Sequence, residues 1–133
     1  MNPFSVYALS KDSYWLKALA EIADESVVIE LLPISDHPEY LRSLPITNDQ
    51  ALLLVDTAAY HDVVSFVRQL IVQGWRFVVV VAAIPSWKET RSLLREAGAY
   101  DYWQKSYATK TIRSAIKGCI TQIEEDTSPH HKV

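Results

Sequence analysis

The sequence predicts a three-layer α/β sandwich built on a five-stranded parallel sheet, and three observations lead there. Two apolar runs, Leu52-Leu53-Leu54-Val55 and Val78-Val79-Val80-Val81, show no polar alternation, and such strands suit a parallel sheet covered by helices on both faces. Around these runs lie segments with apolar residues at helical spacing, so that strands and helices alternate along the chain. The 133 residues, 49% hydrophobic and 22% charged, suffice for one core of ordinary size.

The first strand is Phe4-Ser5-Val6-Tyr7-Ala8-Leu9. Asp12 or Ser13 is placed to cap a helix running to about Ala23, with Leu16, Leu19, Ala20 and Ala23 as its inner stripe. The β-branched Val27-Val28-Ile29 marks a second strand within 26–32, ended by Pro33. A short helix over 37–44, between Pro38 and Pro45, leads to the turn-rich Thr47-Asn48-Asp49-Gln50. The third strand, 51–56, ends abruptly in the carboxylate of Asp56.

Val63, Val67, Leu70 and Ile71 then recur at helical spacing up to Gly74, a natural C-terminal stop. Residues 77–82 form the fourth strand. Pro85-Ser86 opens a helix carrying Leu93, Leu94 and Ala97 and closed by Gly98. Residues 100–104 are a fifth, more amphipathic strand, as a sheet edge requires, and Ile112, Ile116, Cys119, Ile120 and Ile123 share one face of a last helix. Residues 1–123 are thus expected to form the domain, and 124–133 a polar, disordered tail. Five strands alternating with five helices, joined by right-handed crossovers, make the flavodoxin-like class. Fold alone assigns no function.

Composition excludes several functions. A net charge of −3 without a Lys/Arg block argues against nucleic acid as a partner, because phosphate neutralisation needs clustered positive charge. The longest apolar run, 77–84, is too short to span a bilayer, and the single cysteine, Cys119, suits a reducing compartment. The expected setting is the cytoplasm, with no membrane partner. Neither a Gly-x-x-x-x-Gly-Lys loop nor a Gly-x-Gly-x-x-Gly turn is present, and Asp56-Thr57 lacks the second aspartate of Asp-x-Asp phosphatases. His37, His61, His130 and His131 lack the spacing of a metal site.

Asp56 at the end of the third strand, Val78-Val79-Val80-Val81-Ala82-Ala83 closing the fourth, and Gly98-Ala99-Tyr100-Asp101-Tyr102-Trp103-Gln104-Lys105 around the fifth carry a resemblance. Over nearly its whole length the chain resembles the CheY-like receiver domain of two-component response regulators, and the last stretch is similar to that family's Gly-Ala-x-Asp-Tyr-x-x-Lys signature. The resemblance makes Asp56 the equivalent of a phosphoacceptor. It implies four helpers, which this sequence keeps only in part. Ser10 and Lys11 stand where an acidic pair would hold Mg²⁺, and Ala82 stands where a hydroxyl would bind a phosphoryl oxygen. Lys105 matches the phosphoryl-pairing lysine. The proline that would follow is Ser106, and a cis peptide before a non-proline residue costs about 2.5–4 kcal/mol.

The crevice is therefore expected to hold Asp56 among Ser10, Lys11, Asp12, Ala82 and Lys105, with no resident metal or other cofactor. Mg²⁺ would bind only if Asp12 rescued the site, and Asp12 reads first as a helix cap. One expectation is that an ammonium, from Lys11, Lys105 or both, replaces the metal. The other is a remnant Asp56–Lys105 surface pair, worth about 0–1 kcal/mol, with Lys11 in solvent. Tyr102 matches the family's switch aromatic, uncoupled because its hydroxyl partner has become Ala82.

Trp87, Tyr100, Trp103 and Tyr107 are expected to form an interface on the face of the fourth helix, fifth strand and fifth helix. This reading makes the chain a non-enzymatic, phosphorylation-independent pseudo-receiver acting through another protein, a histidine kinase or a signalling output protein, or through a homodimer on that face. The alternatives are an atypical response regulator phosphorylated on Asp56 by a histidine kinase, and a flavodoxin-like domain binding a small ligand.

Overall fold

The computed structural model describes residues 3–34, 51–83 and 87–127. The expected helix at 37–44, Pro85-Ser86 and the last six residues lie outside that set. The elements are β1 (Phe4–Leu9), α1 (Ser13–Ala20), β2 (Val27–Leu32), β3 (Ala51–Asp56), α2 (Val63–Val72), β4 (Val78–Ala82), α3 (Trp87–Ala97), β5 (Asp101–Gln104) and α4 (Thr109–Thr127). The five strands pair in parallel, in the order β2-β1-β3-β4-β5.

Every residue of β3 and β4 is buried, as their unbroken apolar runs require. Leu52, Leu53 and Leu54 are each 1% exposed or less, and burying such a side chain contributes about 1.5–3 kcal/mol. Alternate strand residues feed two cores. On one face Val6, Ala8, Leu54 and Val81 meet α1 and α4; on the other Leu9, Val55, Val80 and Ala82 meet α2 and α3. At the edge, β5 has an exposed residue at each end.

Two expectations need correction. Helix α1 stops at Ala20, and its inner face is Trp15, Ala18 and Leu19, continued by Ile22 in the following turn, whereas Ala20 and Ala23 are exposed and Leu16 is half-buried. Burying the large indole of Trp15, 2% exposed, sets the rotation of the helix, since an aromatic ring removes the most apolar surface from water. Residues 124–127, expected in the disordered tail, continue α4. There the Tyr100 hydroxyl donates to Asp126 at 2.7 Å, fastening the end of the helix to the start of β5.

Gly98 ends α3 with φ +107°, and a Cβ there would lie 2.7 Å from Cγ1 of Ile71. The position thus demands glycine for backbone and for space. This turn aims β5, and with it Lys105, across the sheet edge.

Candidate functional site

The strand order reverses between β1 and β3, and in such sheets ligands bind beyond the carboxyl ends of the strands at that point. Leu9 pairs with Val55, so Ser10 and Asp56 emerge there side by side. Asp56, 1% exposed, is met on both oxygens. Its Oδ2 accepts from Ser10 Oγ at 2.5 Å and from Lys105 Nζ at 2.7 Å, and its Oδ1 accepts from the Ala58 N–H at 3.1 Å. A carboxylate held by three donors, one of them charged, meets the condition for burying it.

Lys105 follows β5, whose ladder it extends by donating its N–H to the Ala82 carbonyl at 2.7 Å. Its side chain is only 3% exposed. Besides Asp56, the ammonium donates to Asp12 Oδ2 at 3.2 Å and lies 5.6 Å from the centroid of the Trp15 ring. Asp12 serves two structures at once. Its Oδ1 caps α1 by accepting from the Trp15 N–H, while its Oδ2 accepts from Lys105 and from the Tyr107 hydroxyl. Ser10 Oγ also accepts from the Asp12 N–H at 3.0 Å. The β1–α1 and β5–α4 loops are thereby tied together over Asp56.

Titration reflects these contacts. Partial desolvation works to raise the Asp12 carboxyl, but bonds from Tyr107, the Trp15 N–H and Lys105 outweigh it and hold it below the usual aspartate range. Desolvation likewise works to lower Lys105, and the bonds to Asp56 and Asp12 reverse that, raising the ammonium above an ordinary lysine. The bond to Asp12 leads the upward shift of Tyr107.

Of the sequence-predicted crevice residues, the structure brings together Ser10, Asp12, Asp56 and Lys105, with Ala82 below them through its carbonyl. Lys11 is exposed and has no ion pair among the described residues. The Asp56–Lys105 pair is not the surface remnant of the second expectation, because both side chains are buried. Nor does Asp12 act only as a cap: a turn starting at Ser10 gives its second oxygen the crevice. Trp15, beneath the ammonium, was missed; its only signal in sequence is its place three residues after the cap.

Among the described side chains, Tyr100, Trp103 and Tyr107 do not form a shared exposed patch. Tyr100 and Trp103 are half-buried against the core under α1 and α4, with Tyr100 edge-on to Phe77 and Trp103 Nε1 donating to Asp101. Tyr107 is 55% exposed, but it stands at the carboxyl end of β5 whereas Tyr100 precedes its start. Of Trp87 the structure describes only its backbone place at the start of α3. Tyr102 is buried, 5% exposed, in the core that contains Ala82, Leu94 and Ala97.

No protein-family model and no curated protein matches the sequence. Solved structures do match it. A CheY-like response-regulator receiver domain from Methanospirillum hungatei JF-1 superposes with a TM-score of 0.70 at 16% identity, covering 94% of this chain and 99% of its own. A response regulator from Thermotoga maritima gives 0.68 at 18%, with coverages of 91% and 99%, and an orphan response regulator of H. pylori gives 0.65 at 21%, with 88% and 96%. The chain has the CheY-like receiver fold.

A receiver fold implies Mg²⁺ beside the aspartate, and the residues present do not fit it. That ion takes near-octahedral oxygen ligands at about 2.0–2.1 Å, one or two carboxylates among them. Here the two carboxylate oxygens that face each other, Asp12 Oδ2 and Asp56 Oδ2, both hold the Lys105 ammonium. At a separation of about 4 Å and an effective dielectric constant of about 20, a divalent ion and an ammonium repel by about 8 kcal/mol. Among the described residues no group of three or more His, Cys, Asp or Glu side chains is placed to hold a metal.

Proposed function

We propose that the chain is a pseudo-receiver, a non-catalytic signalling module that works through contact with another protein without phosphorylation of Asp56. The observation that carries this reading is the satisfied carboxylate. Asp56 is buried and engaged on both oxygens by Ser10, Lys105 and Ala58, so an incoming phosphoryl group must displace the chain's own donors. Ala82 supports the reading from the other side, because no side chain of β4 carries a hydroxyl to draw toward a phosphoryl oxygen. The buried, unpaired Cys119 suits action in a reducing cytoplasm.

The contact surface belongs to α3, β5 and α4, where Leu93 is 49% exposed and β5 leaves an open sheet edge. The partner is a kinase, an output protein or a second copy of the chain. Incubation with acetyl phosphate and Mg²⁺, followed by intact-mass measurement, tests the proposal: the mass stays unchanged. A phosphoryl adduct that disappears in Asp56→Asn overturns it. It would favour the second reading, an atypical phosphorylated regulator, for which the reach of Asp12 Oδ2 into the crevice is the supporting observation.

A further inference from the structure

We infer that the Lys105 ammonium is the resident cation of this crevice and excludes a divalent ion from it. The inference rests on the receiver-type reading of the site and deepens it by naming what stands in the metal's place. Three features form the cation's housing. Asp56 Oδ2 and Asp12 Oδ2 receive the ammonium at 2.7 and 3.2 Å. The Trp15 ring lies 5.6 Å from Nζ, within reach of a cation–π attraction. The lysine side chain, 3% exposed, is shut in rather than draped over the surface.

Both carboxylates are otherwise built into the fold, Asp12 as the cap of α1 and Asp56 through Ser10 and Ala58. Removing only the ammonium leaves two fixed carboxylates, with hydroxyls of Ser10 and Tyr107 beside them, facing an uncompensated double negative charge. A hard divalent cation answers that charge, whereas the intact chain has already answered it with the ion-paired ammonium of its own lysine. Lys11, the other sequence candidate for this role, is exposed and takes no part.

The experiment is a titration with Mn²⁺, without any phosphoryl donor, read by paramagnetic broadening of amide resonances and by tryptophan fluorescence. In the intact protein the amides of residues 10–12 and 56–58 stay sharp. In Lys105→Met they broaden saturably, with affinity at least about tenfold tighter than the intact protein's, and adding Asp12→Asn to that variant removes the effect. Site-specific broadening in the intact protein equal to that in Lys105→Met overturns the inference, as does a folded Lys105→Met that binds no Mn²⁺. If Lys105→Met does not fold, the intact-protein arm still decides: saturable broadening at these amides refutes exclusion, and its absence supports it. Mn²⁺ binding by an intact protein that takes no phosphoryl group would sink this inference alone, while an Asp56 adduct would sink the functional reading.

Discussion

Lys105 and Asp56 are a buried ion pair, and such pairs act mainly through what happens when one member is lost. Breaking one typically costs about 3–5 kcal/mol, because the remaining charge stays buried without compensation. Lys105→Met is therefore expected to lose about that much unfolding free energy in urea titrations. The double variant Lys105→Met/Asp56→Asn should recover a large part of it, and a double variant no more stable than the single would show that the charges are not coupled. Asp12 gives a pH signature. Its carboxyl is held below its ordinary value of 3.8, so its contribution is present above that value and is lost as pH falls through the folded one. Lys105, raised above 10.5, contributes fully below that value and loses its contribution as pH rises through the folded one. Comparison of intact protein and Asp12→Asn by urea midpoint should thus show a stability gap at pH 7 that closes below about pH 4. A gap independent of acid pH would mean that the carboxylate is not what holds the loops.

At the scale of elements, the sequence made the strands plain because their signal is local. A buried parallel strand must be apolar along its whole length, so β3 and β4 could be read directly, and the positive φ of Gly98 follows from its place after the last apolar residue of α3. Gly98→Ala is expected to destabilise by about 1–2 kcal/mol from backbone strain, and further from its contact with Ile71, measured by thermal or urea unfolding. A change under about 0.5 kcal/mol would mean that the turn relaxes freely. Side-chain partners were less legible. The last turn of α4, past Ile123, is joined to the rest of the fold by the bond between Asp126 and Tyr100, two residues far apart in sequence, and polar residues there read equally well as tail. Truncation after Ile123 should lower the unfolding midpoint, and an unchanged midpoint would return those residues to the tail. Helix α1 shows the same limit: several faces offered apolar residues, and only packing decided that Trp15 would face the core.

For the molecule as a whole, the legible part of the site was the set of positions and the illegible part was their contacts. The alternation of elements placed Ser10, Asp56, Ala82 and Lys105 at one sheet edge, because the topology brings the carboxyl ends of the strands together. It could not say that Lys105 would reach two carboxylates, that Lys11 would face solvent, or that Tyr107 would turn to Asp12. Those outcomes depend on side-chain length and loop direction, not on periodicity. Together they describe a receiver fold whose two crevice loops are bridged by its own residues, with Tyr102 already buried beside Ala82. Such a molecule should present one constant face on α3, β5 and α4. The most direct test is an amide-resonance map before and after saturating beryllofluoride and Mg²⁺. A fixed pseudo-receiver keeps the resonances of residues 82–83 and 101–105 in place, whereas specific shifts there, abolished in Asp56→Asn, would contradict the account.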